Sequence, residues 1–225
     1  MQLVLLPGMD GTGNLFPKSL AGIPDVKISI LELPKEGGQS YEDLAAKIIE
    51  QLPKQKFVLL AESFSGPLAA LIASHKSNRI SGVIFVATFL TSPGRIRLSF
   101  ASKLPLKAFL GVPFLQRICR WLLFGSNTDQ ELFKQFLATI DRMPQELLVK
   151  RLKAMQSIPV FDEKLNIPAL YLRATGDKLV PATKCEEFLD LFPQVKLDNI
   201  SGPHFLLQVN PDQCRDRIVE FIERL

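Results

Sequence analysis

The stretch from Phe57 to Ile72 restricts the folds open to this chain more than any other part of it. Phe57 to Leu60 is a short, uncharged apolar run, the composition of a strand buried on both faces. Ala61, Ser63, Ser65 and Gly66 then crowd small residues into a turn, and Leu68, Leu71 and Ile72 resume at helical spacing. Such a turn carries a serine at its apex. It is usually written G-x-S-x-G, because strand and helix nearly touch two residues either side of the serine. Here those two places hold Ala61 and Ser65. The same pattern also suits a plain strand-turn-helix of any α/β protein, so its meaning depends on the rest of the chain.

Taken in order, the chain opens with a strand, Gln2 to Leu6, that runs into Pro7-Gly8-Met9-Asp10-Gly11-Thr12-Gly13. Three glycines in six residues imply a sharply turning, open backbone. Leu15 to Leu20 reads as a short helix and Val26 to Leu33 as a second strand. Ser40 caps a helix, with Asp43 completing a capping box and Leu44, Ile48, Ile49 and Leu52 forming its apolar face. Val83 to Val86 is another buried strand. This alternation predicts a mostly parallel central sheet with helices on both faces.

The rhythm breaks from Thr91 to Asn166, where only helical patterns occur. Leu106 to Leu122 is strongly apolar and bent at Pro113. Leu132 to Ile140 forms a second helix, and Leu147 to Met155 a third, begun by Pro144. Alternation resumes with a strand at Ile167 to Arg173, a helix at Thr183 to Leu191, a strand at Val195 to Ile200 and a helix from Pro211. The expected organisation is an α/β core of residues 1–90 and 167–225, with a helical cap of residues 91–166 inserted in it.

Length and composition set further limits. A chain of 225 residues that is 47% apolar suits one domain with a well-filled core. Nothing reads as a leader peptide, and no apolar run reaches the roughly 20 residues of a bilayer span. Three well-separated cysteines, Cys119, Cys185 and Cys214, fit a reducing cytoplasm, and no spacing suggests a metal site. The net charge of +4 is uneven. From Pro93 to Ser157 there are 11 Lys/Arg against 4 Asp/Glu, while the remainder carries 16 against 19. That segment is either an ordinary solvated helix surface or a face for an acidic partner. The partner would be an anionic substrate, an acidic carrier protein or an anionic membrane surface. Nucleic acid is not expected, and the oligomeric state is left open.

In open α/β sheets, reactive groups gather beyond the carboxyl ends of the strands. Four such ends carry unusual chemistry here: the loop at 7–13, Ser63, Asp177 and His204. An acyl-transfer site needs a nucleophile, a base, an acid to orient that base, and donors for the oxyanion. His75 and His204 are the only histidines. His75 lies 12 residues along the helix leaving Ser63, so the helical rise puts it roughly 18 Å away. His204 is therefore the candidate base. The chain after Val86, Ala87-Thr88-Phe89-Leu90-Thr91-Ser92, offers no carboxylate, which leaves Asp177 as the candidate acid.

With its L-P-G-M-D-G-T-G loop, its A-E-S-F-S-G turn and the order Ser, Asp, His, the chain resembles small esterase-like members of the α/β-hydrolase superfamily over nearly its whole length. The resemblance implies Ser63 as nucleophile, His204 as general base and acid, and Asp177 as its orienter. It also implies an oxyanion hole made of the Met9 and Phe64 backbone N–H groups, with no metal or organic cofactor. Two departures stand out. Pro7-Gly8 replaces a more usual His-Gly, and the chain starts at what is commonly the third strand, leaving an open sheet edge. The expected activity is hydrolysis of a carboxylic ester of a hydrophobic acyl group, with an acyl thioesterase or acyltransferase on the same machinery as the alternative. Leu106, Phe109, Phe114, Trp121, Phe133 and Phe136 are the expected acyl pocket. Ser65 reads as a small packing residue, Glu62 as facing away from the reacting carbonyl, and Asp10 as a brace for the oxyanion loop.

Two readings of other classes compete. Gly8-x-x-Gly11-x-Gly13 after a strand, with Glu32 about 20 residues on, imitates a dinucleotide fingerprint and hence a nucleotide-binding oxidoreductase. No Tyr-x-x-x-Lys accompanies it, and Ser63, Asp177 and His204 would be unexplained. A non-catalytic binding module on the same fold would leave the complete triad without a purpose.

Overall fold

The computed structural model describes residues 1–126 and 129–225; Asn127 and Thr128, within the expected cap, lie outside the described residues. Six strands form one sheet: β1 (Gln2–Leu6), β2 (Lys27–Ile30), β3 (Phe57–Glu62), β4 (Ile80–Val86), β5 (Ala169–Ala174) and β6 (Val195–Ile200). Their order is β2-β1-β3-β4-β5-β6 and every pairing is parallel. Direction reverses between β1, which hands the chain to β2 on one side, and β3, which continues on the other. At such a switch the connecting loops diverge and leave a crevice at the strands' carboxyl ends.

Pleating sorts the strand residues onto two faces. Leu59, Ala61, Val83 and Phe85 meet α1 (Tyr41–Ile49), α2 (Ser65–Lys76) and α8 (Glu186–Leu191). Val58, Leu60, Ile84 and Val86 meet α10 (Pro211–Ile222), the short α9 (Leu206–Val209) and a 3₁₀ turn at Lys18–Gly22. All of β3 is buried, as its uncharged run predicts. Ser40 caps α1 reciprocally with Asp43: its hydroxyl accepts from the Asp43 N–H at 3.1 Å, and the Asp43 carboxylate accepts from the Ser40 N–H at 3.3 Å.

Among the described residues, five helices separate β4 from β5: α3 (Arg95–Ala101), α4 (Leu106–Leu110), α5 (Pro113–Phe124), α6 (Gln130–Arg142) and α7 (Gln145–Ala154). They hold a small core of their own, Phe124, Phe133, Phe136 and Ile140 with Leu15. The apolar stretch expected to bend at Pro113 is instead two helices. Pro113 opens α5, because its missing N–H costs nothing at a helix start.

Several boundaries differ from the sequence pattern, and β4 for one begins three residues before the expected Val83. β2 keeps only Lys27–Ile30 of the expected 26–33, being an edge strand with one partner. The helix expected at 15–20 is the later 3₁₀ turn. The helix at 183–191 begins as a 3₁₀ turn, Ala182–Cys185, before α8. Among the described residues, no helix is long and apolar enough to cross a membrane.

Candidate active site

The turn between β3 and α2 holds Ser63 at φ 50°, a left-handed conformation that a non-glycine residue adopts only under constraint. Several bonds impose it. The Ser63 N–H donates to Val86 C=O at 3.0 Å, its own carbonyl accepts from the Thr88 hydroxyl, and the Tyr41 hydroxyl donates to Phe64 C=O at 3.0 Å. Ser65 replaces the expected glycine because the close approach falls one residue later. A Cβ on Gly66 would lie 2.0 Å from Thr88 Oγ1 and 2.9 Å from Phe89 C=O. Ser65 is a packing residue, as expected, and also a tether: its buried hydroxyl donates to Pro7 C=O, joining the turn to the glycine loop.

Ser63, Asp177 and His204 come together across 141 residues of chain. Ser63 Oγ lies 2.8 Å from His204 Nε2, and His204 Nδ1 lies 2.7 Å from Asp177 Oδ2. The other Asp177 oxygen, Oδ1, accepts from the Leu179 and Val180 amides at 2.8 and 3.0 Å. Burial pushes the Asp177 carboxyl up, but the His204 charge and hydrogen bond and those two amides outweigh it and hold it below its usual value. His204 is buried, and its loop is anchored by Gly176 N–H to Gly202 C=O at 2.8 Å and by Phe205 N–H to Leu123 C=O of α5 at 3.0 Å. His75 is exposed, with Nδ1 2.8 Å from Leu71 C=O, and takes no part. The chain at 87–92, which lacks a carboxylate of its own, is tied down by Glu187, which accepts from the Leu90 and Thr91 amides at 3.0 and 2.9 Å.

Met9 lies in the glycine loop after β1, and Phe64 directly follows Ser63. Among the described residues, neither amide donates within the protein. Asp10 does not reach across to the triad. It folds back on its own loop, accepting from the Thr12 amide at 2.9 Å and the Thr12 hydroxyl at 2.6 Å. The brace is instead Arg151 of α7, which is fully buried. Its guanidinium donates to Met9 C=O at 2.8 Å, Pro34 C=O at 3.1 Å and Gln39 Oε1 at 3.1 Å. Burial lowers its pKa to about 10, partly offset by Asp10. Gly11 has φ +72°, and a Cβ there would sit 2.2 Å from Arg151 Nη1. Arg151 thus fills the concavity of the glycine loop, where a dinucleotide phosphate would have to lie. A signal for it was present. Leu147, Leu148, Arg151, Leu152 and Met155 share one helical stripe, which puts a charge on the buried face.

Above the triad is a cavity of about 330 Å³. Gly8, Met9, Asp10, Glu62, Ser63 and His204 line it on the sheet side, and Leu98, Leu123, Phe136, Ile140, Leu152 and Met155 on the helical side. Of the six residues expected to form an acyl pocket, only Phe136 lines it. Phe133 packs into the small core, edge-on to Phe124, while Phe114 and Trp121 are exposed. Cys119 and Cys214 offer no rival nucleophile, since burial pushes their thiols up to about 11 and about 12.

Glu62 corrects a further expectation. It does not face away; it lines the cavity and accepts from Gln208 Nε2 at 2.9 Å. Burial raises its pKa to about 7. The Gln208 bond and His204 oppose that rise, and Asp10 adds to it. Between its ordinary value of 4.5 and about 7, the folded protein keeps a proton that the unfolded chain releases. This group therefore costs stability as pH rises through that window, with the full cost reached above it. Glu62→Gln keeps an acceptor for Gln208 and removes the charge. It is expected to gain up to roughly 3 kcal/mol over the parent at alkaline pH and almost nothing in acid. Urea midpoints measured at both ends of the window check this; equal differences at the two ends would mean that Glu62 is not held neutral.

Residues 36–211 match the family model of the alpha/beta hydrolase fold. The chain belongs to the alpha/beta hydrolase family. No curated protein matches it by sequence. Among solved structures, it is similar to a hydrolase from Oleispira antarctica at 16% identity and TM-score 0.82, covering 100% of this chain and 91% of that one. It is also similar to a thermophilic esterase from Thermogutta terrifontis, at 17% identity and TM-score 0.82, covering 100% and 90%. An esterase from Exiguobacterium antarcticum gives 14% identity and TM-score 0.84, covering 99% and 92%. At these identities the likeness is one of fold.

Proposed function

We propose that the protein is a serine hydrolase that cleaves carboxylic esters of hydrophobic acyl groups. The observation that carries this reading is the continuous Ser63–His204–Asp177 hydrogen-bond chain opening into a largely apolar cavity. His204 Nε2 takes the proton as Ser63 Oγ bonds to the acyl carbon, and the oxyanion is held by the Met9 and Phe64 amides. The carbon–oxygen bond to the alcohol then breaks, and the alcohol leaves with the proton from His204. Water, deprotonated by the same nitrogen, releases the acid and restores Ser63. Ionised Glu62 favours the imidazolium that forms on the way, so Glu62→Gln should be about ten-fold slower above neutral pH as well as more stable. Residues 91–166 act as the cap that shuts the acyl group away from water. Three unpaired cysteines suit a reducing compartment such as the cytoplasm.

The test is intact mass after treatment with a fluorophosphonate, on wild type and on Ser63→Ala. One adduct on wild type, absent from the variant, is the expected result. A folded wild-type protein that takes no adduct would overturn the reading in favour of a binding module. A panel of esters and thioesters of graded chain length then separates ester hydrolysis from thioester chemistry.

A further inference from the structure

Helices α3 and α5 each carry exposed apolar side chains that neither the core nor the cavity explains. On α3, Ile96 and Phe100 are 87% and 66% exposed and stand one turn apart. On α5, Phe114, Ile118 and Trp121 are 68%, 40% and 50% exposed and follow an i, i+4, i+7 stripe. The opposite flank of α5 is already occupied, with Cys119, Leu123 and Phe124 in the small core. The charge is equally one-sided. From Arg95 to Phe124 the chain has six Lys/Arg and no Asp/Glu, and Arg95, Arg97, Lys103 and Arg117 are exposed. A surface made only for water mixes the two signs and shows large apolar side chains singly.

Both helices also border the cavity, α3 through Arg97, Leu98 and Ala101 and α5 through Leu123. The Lys178 ammonium sits 4.4 Å above the Trp121 ring, beside Asp177 in sequence, so the exposed stripe of α5 adjoins the loop that carries Asp177. We propose that α3 and α5 dock the protein on an anionic lipid bilayer, with Phe100, Phe114 and Trp121 entering the headgroup boundary and the arginines meeting acidic headgroups. Aromatic side chains beside arginines on short amphipathic helices are what such a boundary selects. Two copies meeting through this face would bring like charges together. Docking places the cavity against the layer, so that an acyl chain reaches it without crossing water.

Trp121 is the only tryptophan in the chain, so its fluorescence reports on this face. The experiment uses Ser63→Ala protein, which makes lipid binding independent of whether the protein hydrolyses anything. Vesicles of phosphatidylcholine with about one third phosphatidylserine should shift Trp121 emission to the blue and carry the protein down on sedimentation. Binding should be at least ten-fold weaker to phosphatidylcholine alone or at high salt. Phe114→Ser combined with Phe100→Ser, both at exposed positions, should weaken it at least ten-fold with an unchanged melting temperature. Three results would overturn the proposal: no shift and no sedimentation, binding that survives the double substitution, or Trp121 emission that follows protein concentration without lipid while the protein dimerises.

Discussion

Asp177→Asn is expected to lower kcat/KM for an ester by about 10,000-fold while leaving the fold intact. The asparagine carbonyl can keep the two amide bonds now made by Oδ1, from Leu179 and Val180. Its NH2 then faces His204 Nδ1, where a carboxylate oxygen stood at 2.7 Å. A donor at that place requires Nδ1 to accept, so the imidazole proton moves to Nε2. From there it points at Ser63 Oγ, 2.8 Å away, and cannot receive the serine proton. Asparagine is a sharper test than alanine, which would also orphan the two amides and confuse loop collapse with lost chemistry. Steady-state kinetics beside thermal melts decide the matter. An asparagine variant within ten-fold of wild type would remove Asp177 from the mechanism.

The grouping of Ser63, Asp177 and His204 was legible in the sequence because the candidates were few. With two histidines and a helical rise that carries one of them away from Ser63, His204 was the one left to meet it. The parallel sheet was legible because strands buried on both faces appear as uninterrupted apolar runs, as in β3 and β4. The cavity walls were not. In a helical insertion, Phe114, Trp121, Phe133 and Phe136 look alike in sequence, yet two face solvent, one packs in the small core and one also lines the cavity. Helical periodicity gives each helix an apolar stripe but not the neighbour that the stripe meets. Glu62 was misread for another reason. Alternation with Val58 and Leu60 does put it on the face that meets α9, where Gln208 bonds it, but periodicity does not show that the cavity reaches that strand end.

Arg151→Met should cost both stability and rate, and the pairing of the two losses is what identifies the residue's role. The guanidinium joins three stretches of chain: the loop after β1 through Met9, the loop after β2 through Pro34, and Gln39 just before α1. Methionine fills a similar volume but leaves those acceptors buried without a donor, a loss of roughly 3 to 5 kcal/mol. For a chain of this length that corresponds to a melting temperature lower by about 10 °C. The Met9 carbonyl is also freed, and the Gly8–Met9 amide next to it loses its fixed direction. If that amide holds the oxyanion, kcat should fall about 100-fold. KM should change far less, since Arg151 is not among the residues that line the cavity proposed to take the acyl group. Arg151→Lys restores the charge but not the fork that reaches four acceptors, so it should recover only part of either loss. A variant that melts early yet turns over at the parental rate would separate the clamp from the chemistry and leave the Met9 amide without its assigned part. Loss of both together means that α7 sets the oxyanion loop directly, making the helical insertion a working part of the site as well as its roof.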